Sequence, residues 1–193
     1  MDVLAGGDRA GTAGARDRIL ATASALFYGV GIRATGIDRI IAEAGVAKAT
    51  FYHHFPTKDA LVCAYLVDQH ERQVQAFAPA LLGEDDPGDL VGRVFDLIGE
   101  VACGVGFRGC QFVNAAVEYP DRDSAVRRIV ADHRRWFHGA LRDLLAAAGH
   151  PTPDLAARML VTLRDGIVVG GQIDGADEVR ATLRPAVAAL LSS

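Results

Sequence analysis

Residues 34–61 read ATGIDRIIAEAGVAKATFYHHFPTKDAL, and this stretch decides the fold. It contains two segments with helical apolar spacing, 36–44 and 48–55, separated by a turn of about four residues. Gly45, in that turn, suits the left-handed backbone with which many helices end. Pro56 closes the second segment because proline cannot continue the helical hydrogen bonds. The stretch therefore predicts two short helices joined by a tight turn.

A longer helix precedes this pair. Apolar residues at helical spacing predict that it begins near Ala15 and stops by Gly29 or Gly31. Thr35 and Asp38 then have the spacing of a capping box, which predicts the start of the next helix directly after Thr35. Three short helices, with a glycine turn between the second and the third, are the recipe for a helix-turn-helix unit.

The third helix of such a unit can enter the major groove of DNA. Its inner face must pack to fix the crossing of the helices, which leaves its outer face free. That outer face carries groups able to meet phosphates or base edges. Its members are Lys48, Ala49, Thr50, Tyr52, His53 and His54. Thr35 and Lys58 stand at two helix N-termini, where phosphate binding is favourable. A small three-helix unit with no role in DNA binding would show the same spacing.

The chain beyond residue 58 keeps helical apolar spacing, interrupted by short segments rich in Gly and Pro. These breaks predict six further helices, over residues 58–82, 90–101, 110–118, 126–148, 154–173 and 177–191. No alternating run flanked by hairpin turns is present. The sequence therefore predicts an all-α protein. An N-terminal three-helix helix-turn-helix domain at 16–58 follows a flexible segment at 1–15, and a long helix joins it to a C-terminal helical domain at 59–193.

Composition and charge narrow the class of protein. Of the 193 residues, 50% are hydrophobic and 23% charged, which excludes a disordered chain. The longest uncharged stretch, 19–32, is shorter than the roughly 20 residues that a membrane helix needs. With no signal-peptide pattern at the N-terminus, we expect a soluble protein that stays in the cytoplasm. A net charge of −4 argues against a general polyanion binder, but residues 1–60 carry +1 and residues 61–193 carry −5.

The residues of the two short helices also carry a family resemblance. The runs Ala34–Val46 and Lys48–Leu61 closely resemble the DNA-binding domain of TetR/AcrR-family repressors. The resemblance spans about residues 16–66, and the helical remainder agrees in length and helix number with that family's ligand-binding and dimerisation domain. The stretch Gly109–Ala116, with Glu118, resembles a segment that recurs in one subset of the family.

The resemblance implies a role for each position of the DNA-binding set. It implies that Lys48, Ala49 and Tyr52 approach bases. It implies phosphate contacts for Thr35, Thr50, His53, His54 and Lys58. Gly36, at the start of the second helix, belongs to the same DNA-binding set. The chain departs from the family at Ala47, where a capping Ser or Thr is usual, and at Ala49, where Gly is common. Loss of the capping hydroxyl costs about 1 kcal/mol.

The same resemblance implies an obligate homodimer formed by the last two helices, and hence a palindromic operator. Two features of the sequence agree with a dimer: small residues on the eighth helix, and apolar residues on the ninth that follow a seven-residue repeat. The candidate interface consists of Leu163, Gly166, Ile167, Gly170, Gly171, Val179, Leu183, Val187 and Leu190. The alternative is that these residues pack inside their own subunit.

A small molecule is the remaining partner that the resemblance implies, bound between helices five to eight and releasing the protein from DNA. The candidate lining residues are Phe95, Phe107, Phe112, Asn114, Glu118, His133, Trp136, Phe137 and Gln172. Their mostly apolar character predicts a largely apolar effector. The alternative is that His133 and the aromatic residues are simply core.

Catalysis and metal binding find little support. The sequence has no P-loop, GxSxG, HExxH or GxGxxG pattern and no tetrahedral spacing of ligands, so we expect no enzyme, metal site or cofactor. Cys63, Cys103 and Cys110 lack CxxC spacing and are expected to be structural thiols. Two alternatives stay open: a redox switch of Cys103 and Cys110, and an enzyme using one of those cysteines with His133 as base.

Overall fold

Helices form all of the regular secondary structure in the part of the chain that the computed structural model describes, residues 8–81 and 86–192. This confirms the all-α prediction. The helices are α1 (Asp8–Gly29), α2 (Ile37–Ala44), α3 (Lys48–His54), α4 (Lys58–Leu81), α5 (Pro87–Ala102), α6 (Gln111–Glu118), α7 (Ala125–Ala147), α8 (Pro153–Ile173) and α9 (Ala176–Leu191). None of these described helices is long and apolar enough to cross a membrane.

The ends of the short helices follow from identifiable residues. Gly45 ends α2 with φ +62°, the left-handed conformation predicted for it. Thr57 accepts a hydrogen bond from the Ala60 amide at 3.0 Å and so helps to begin α4. The predicted capping box is wrong, because Gly36 is the N-cap of α2 and no side chain caps it. The Thr35 hydroxyl instead donates to the Gly31 carbonyl at 2.8 Å.

The first helix begins earlier than the sequence predicts. α1 starts at Asp8 rather than near Ala15, so the second half of the expected flexible segment is helical. No proline interrupts residues 8–15, so the helix continues through Gly11 and Gly14 at a cost of about 1 kcal/mol for each glycine. Residues 1–7 lie outside the described part of the chain.

The chain divides into two compact units. The N-terminal unit comprises residues up to Gln69 together with Asn114–Ile129, and the C-terminal unit comprises the rest. The division along α4 therefore falls later than the predicted boundary after residue 58. The cause is packing of the first part of α4 within the N-terminal unit, where the Tyr65 ring meets the edge of Phe27 with centroids 5.6 Å apart.

Each unit has its own buried apolar residues. In the N-terminal unit, α1, α2 and α3 pack on one another around Ile19, Ile40 and Phe51, which are fully buried. In the C-terminal unit one core cluster joins residues of α5, α7, α8 and α9. These two cores give each unit a fixed scaffold on which its candidate functional residues stand.

Candidate functional site

The third helix is held by aromatic packing on its inner face. The rings of Phe51 and Phe55 are buried, with centroids 6.3 Å apart. The guanidinium of Arg16, on α1, lies 5.5 Å from the centroid of Phe55. A cation over an aromatic face is an additional tie between α1 and the end of α3. The position of α3 is therefore set from behind, and its outer face remains available.

Most of the predicted DNA-binding residues lie on that outer face. Lys48, Ala49, Tyr52 and His53 are exposed, and Thr50 and His54 are half-buried. Tyr52 exposes 41% of its surface although its ring packs on the edge of Phe51. An exposed aromatic hydroxyl, an ammonium and an imidazole on one short helix are the groups expected to contact phosphates or base edges.

An ion pair crosses the start of this face. The Lys48 ammonium lies 3.5 Å from the Asp38 carboxylate of α2, and both side chains are well exposed. An exposed pair of this kind is weak, so it leaves Lys48 free to exchange its partner for a nucleic-acid group. Asp38 also places a negative charge beside the predicted DNA-binding residues.

Two residues of the predicted set are placed differently. Thr35 is fully buried and its hydroxyl is already bonded to the backbone, so its side chain is not available to phosphate. The Nε2 atom of His54 is buried and has no hydrogen-bond partner among the described residues. Gly36 is exposed at the start of α2, and Lys58, half-buried, points its ammonium to within 3.5 Å of the Arg33 carbonyl oxygen.

Glu118, a predicted pocket residue, is hydrogen-bonded to backbone in the N-terminal unit. Its two carboxylate oxygens accept hydrogen bonds from the backbone amides of Ile32, at 2.9 Å, and Arg33, at 2.6 Å. All three residues belong to the N-terminal unit. Sequence reasoning missed this role because the partners are 85 and 86 residues away along the chain. Asn114 also falls in the N-terminal unit, and Gln172 is exposed on α8.

Four of the predicted pocket residues do come together, in an aromatic cluster of the C-terminal unit. The cluster joins α4, α6 and α7 and consists of His70, Phe77, Phe112, His133, Trp136 and Phe137. His70 and Phe77 were not among the predicted residues, although the helical spacing of α4 could have suggested them. Phe95 lies in the apolar core, and Phe107 packs against it from a half-buried position.

His133 is the polar centre of this cluster. Its Nδ1 atom lies 3.0 Å from the Nδ1 atom of His70, so one ring donates a hydrogen bond and the other accepts it. Burial, reinforced by the positive charge of Arg164, lowers the pKa of His133 to about 3. The cluster is therefore an apolar, aromatic environment with one hydrogen-bonded histidine pair in it, of which His133 is neutral.

The cysteines have separate partners. The buried Cys110 thiol accepts a hydrogen bond from the Arg164 guanidinium at 3.0 Å, whereas the Cys103 thiol lies 3.5 Å from the Ala176 carbonyl oxygen. Burial raises the pKa of the Cys63 thiol in the N-terminal unit, and the charge of Asp59 adds to that effect. All three are free thiols. Within the described residues, no three His, Cys, Asp or Glu side chains could hold a metal ion together.

The structure assigns most of the predicted dimer residues to their own subunit. Core positions are taken by Ile167, Val179, Leu183 and Val187, and Leu163 and Leu190 pack against that core. A Cβ atom on Gly171 would lie 2.6 Å from the Ala102 carbonyl oxygen, and one on Gly170 would lie 3.6 Å from a methyl group of Val179. The apolar stripe of α9 thus faces α5 and α8.

Another face of α8 is apolar and exposed. Its residues recur at alternating steps of four and three, the spacing of a helix–helix seam. They are Leu155, Met159, Thr162, Gly166, Val169 and Ile173. Only Gly166 of these was predicted. Ile173 exposes 74% of its surface and Leu155 exposes 56%. Exposed apolar residues that form one continuous face mark a surface on which another molecule can pack.

Family models match both parts of the chain. Residues 19–65 match the model for bacterial regulatory proteins of the tetR family, and residues 120–193 match that for the Tetracyclin repressor-like C-terminal domain.

Solved structures are similar over nearly the whole length. SCO4454, a TetR-family transcriptional regulator from Streptomyces coelicolor, is 41% identical with a TM-score of 0.86, over 93% of this chain and 95% of that one. A TetR transcriptional regulator from Chloroflexus aurantiacus is 25% identical with a TM-score of 0.80, over 95% of each chain. The transcriptional repressor KstR2 of Rhodococcus jostii is 38% identical over 55 residues, and the chain spans only 27% of the length of that curated relative.

Proposed function

The chain belongs to the TetR family of transcriptional regulators, and from this premise we propose that it is a homodimeric repressor that binds a palindromic operator and is released by a small, largely apolar molecule. The observation that carries the proposal is the outer face of α3, where Lys48, Tyr52 and His53 are exposed while Phe51 and Phe55 hold the helix from behind. Repression follows most simply from occupancy of promoter DNA, and such a protein works in the cytoplasm.

The contacts with DNA divide into two kinds. Lys48, Ala49 and Tyr52 lie where base edges come within reach. Thr50, His53 and Lys58 are proposed phosphate contacts, and the exposed backbone of Gly36 lies beside them. Phosphate contacts set affinity and its salt dependence, whereas base contacts set sequence preference.

Support for the homodimer comes from the exposed face of α8. Apolar residues at steps of four and three, with Gly166 in the middle, suit close approach of a second helix. In a dimer with a twofold axis, the same face of the second subunit packs against this face of α8. Two copies of α3 related by that axis would read half-sites about one helical turn of DNA apart.

Support for an apolar effector comes from the aromatic cluster of the C-terminal unit. Trp136, Phe112 and Phe137 contribute aromatic rings, and His133, which is neutral and paired with His70, contributes one hydrogen-bonding group. Such a lining favours a flat, weakly polar molecule over a charged one. Release would follow if the effector binds the DNA-free conformation more tightly than the DNA-bound one, with α4 as the lever between them.

Binding, with no catalysis, is the proposed activity. A cysteine nucleophile would need a base, and Cys110 is bonded to Arg164 rather than to His133. A redox switch between Cys103 and Cys110 is also less favoured, since their thiols contact different groups.

The decisive experiment is selection of bound sequences from a random pool of DNA duplexes. We expect a palindromic consensus whose binding weakens steeply with salt, because phosphate contacts release counterions. A reference protein with Lys48→Ala and Tyr52→Ala together should enrich no consensus while keeping the fold. If the unsubstituted protein enriches no sequence, or only a non-palindromic one, the proposal of a dimeric operator-binding repressor is wrong.

A further inference from the structure

The geometry points to a positioning role for Glu118 in DNA binding, and this inference rests on the proposed operator binding. We propose that the Glu118 carboxylate fixes the backbone of Ile32 and Arg33, and that this places the Arg33 side chain against a DNA phosphate, beside Lys58. Arg33 would then be a phosphate contact in addition to those named above. Glu118 is part of the motif formed by Gly109–Ala116 and Glu118. The DNA contacts proposed for α2 and α3 give this motif no role, whereas the present inference gives a role to its last residue.

The Glu118 carboxylate accepts hydrogen bonds from two backbone amides that lie just after the end of α1. The amides of Val30 and Gly31 bond to carbonyl groups of α1, at Leu26 and Phe27. The next two amides, of Ile32 and Arg33, point instead at one oxygen each of the Glu118 carboxylate. Consecutive amides that converge on one anion form a backbone nest, and hydrogen bonds to a charged acceptor are the strong ones.

Gly31 makes this nest possible. Its φ of +109° turns the chain so that the following amides face the same way, a conformation that L side chains rarely adopt. A Cβ atom at this position would lie 3.6 Å from the nearer Glu118 oxygen, so the carboxylate sits close over the turn. The clamp is therefore a local fit between a glycine turn and a carboxylate.

The clamped segment carries a free cation. Arg33 is exposed, and no acidic side chain pairs with it in the part of the chain that the structure describes. The Lys58 ammonium approaches the carbonyl of the same residue at 3.5 Å. Lys58 and Arg33 thus stand together, at the start of α4 and just before α2, and fixing the Arg33 backbone fixes where the Arg33 charge stands beside Lys58.

A second contact holds the other side of this pair. The hydroxyl of Tyr119, the residue after Glu118, donates to the carboxylate of Asp59 at 2.7 Å. Burial and this hydrogen bond raise the pKa of Tyr119, so the hydroxyl keeps its proton. Asp59 follows Lys58 directly. The end of α6 therefore braces the chain on both sides of the proposed phosphate contact.

The test is the variant Glu118→Gln, which keeps the size of the side chain but turns one acceptor into a donor facing a donor. Glu71→Gln, an exposed carboxylate on α4, is the control for the lost charge. The probes are a mixed-sequence duplex at low salt and the palindrome recovered by selection. We expect Glu118→Gln to bind both about tenfold more weakly, with a salt slope lower by about one, as for loss of one phosphate contact.

Amide hydrogen exchange distinguishes local loss of the Glu118 contact from unfolding of the whole protein. Exchange at Ile32 and Arg33 should become much faster in Glu118→Gln and stay unchanged in Glu71→Gln, while amides of α2 and α3 keep their protection. Unchanged exchange at these two amides would show that the clamp does not exist in solution and would overturn the inference.

A double substitution decides whether Glu118 acts through Arg33. Arg33→Gln alone, on an exposed side chain that does not threaten folding, should lower affinity and salt slope as Glu118→Gln does. The double variant should be little worse than either single one, because both remove the same contact. Fully additive losses, or an Arg33→Gln protein that binds like the unsubstituted one, would contradict the inference while operator binding stands. If the unsubstituted protein binds neither duplex, operator binding itself fails.

Discussion

The imidazole of His133 lies parallel to the ring of Phe112, with their planes 5° apart and their centroids 3.6 Å apart. The stack excludes water from one face of the imidazole, while His70 meets its Nδ1 atom and Arg164 adds positive charge nearby. These neighbours favour the neutral ring and account for a pKa lowered to about 3. The aromatic cluster is therefore built around a histidine that must stay unprotonated.

Acid should unfold this protein partly through His133. The unfolded residue has a pKa of 6.5 and the folded one about 3, so between these values the unfolded chain binds a proton that the folded chain does not. The free energy of unfolding should therefore fall as pH drops from 6.5 towards 3, by at most about 1.4 kcal/mol per pH unit from this residue. Denaturant titrations at pH 7, 6, 5 and 4 measure it.

The variant His133→Phe separates this effect from general acid sensitivity. It keeps a stacking ring against Phe112 and removes the titrating group, so the loss of stability between pH 6.5 and 4 should become shallower. Equal slopes for this variant and the unsubstituted protein would show that His133 is protonated as readily in the folded chain as in the unfolded one.

Two neighbouring valines of α8 should separate dimerisation from folding. Val169 exposes 48% of its surface on the proposed seam, whereas Val168 exposes 7% and belongs to the buried set. We expect Val169→Glu to give a folded monomer, since a carboxylate cannot be buried between two copies without a partner. Val168→Ala should keep the dimer but lower the free energy of unfolding by about 1 to 2 kcal/mol.

Sedimentation and thermal unfolding together check this pair. The molecular mass at micromolar concentration should be that of two chains for the unsubstituted protein and for Val168→Ala, and that of one chain for Val169→Glu. A dimeric Val169→Glu protein would place the interface elsewhere than the exposed face of α8.

Removal of one negative charge should strengthen DNA binding. The Asp38 carboxylate stands 3.5 Å from the Lys48 ammonium on the proposed DNA face, where it repels phosphate and holds a cation. Asp38→Asn should raise affinity for the selected operator by up to about fivefold at low salt, and less at high salt, since an exposed pair contributes up to about 1 kcal/mol. Binding titrations by fluorescence anisotropy measure the change.

A similar pair elsewhere serves as the control for that substitution. Asp177 and Arg180 of α9 lie 3.4 Å apart and are exposed. Asp177→Asn changes the net charge equally but should leave affinity almost unchanged. If both variants gain affinity alike, the effect is one of net charge and says nothing about the position of Asp38.

The helices could be predicted from sequence because their signals are local. Gly45 and Thr57 end or begin a helix through bonds to residues at most three or four positions away, and apolar spacing marks each buried face. Where two local signals compete, sequence reasoning fails. Thr35 had the spacing of a cap, but burial drew its hydroxyl to the Gly31 carbonyl instead.

The candidate sites could be predicted only in part, because an apolar stripe does not say what covers it. Leu183 and Val187 belong to the apolar stripe of α9 that predicts an interface, yet they face α5, where Gly99 leaves room for Leu183. Met159 and Val169, on the exposed side of α8, were not singled out. The contact of Glu118 with the Ile32 and Arg33 amides could not be predicted, because nothing nearby in the sequence indicates these two partners.

The close packing of α8 on α5 gives one more expected outcome, at Gly171. A Cβ atom there would lie 2.6 Å from the Ala102 carbonyl oxygen and 3.1 Å from the Ala102 methyl group, so the two helices would have to move apart. Gly171→Ala should therefore lower the free energy of unfolding by about 1 to 3 kcal/mol, as overpacking does. Gly139→Ala, on α7 with nothing within 4 Å of the added atom, should instead gain up to about 1 kcal/mol because alanine favours helix. Chemical denaturation of both variants measures the difference, and its sign is decisive: a Gly171→Ala protein as stable as Gly139→Ala would mean that α5 and α8 are not in backbone contact at this point, and that Gly171 is free to face a second subunit.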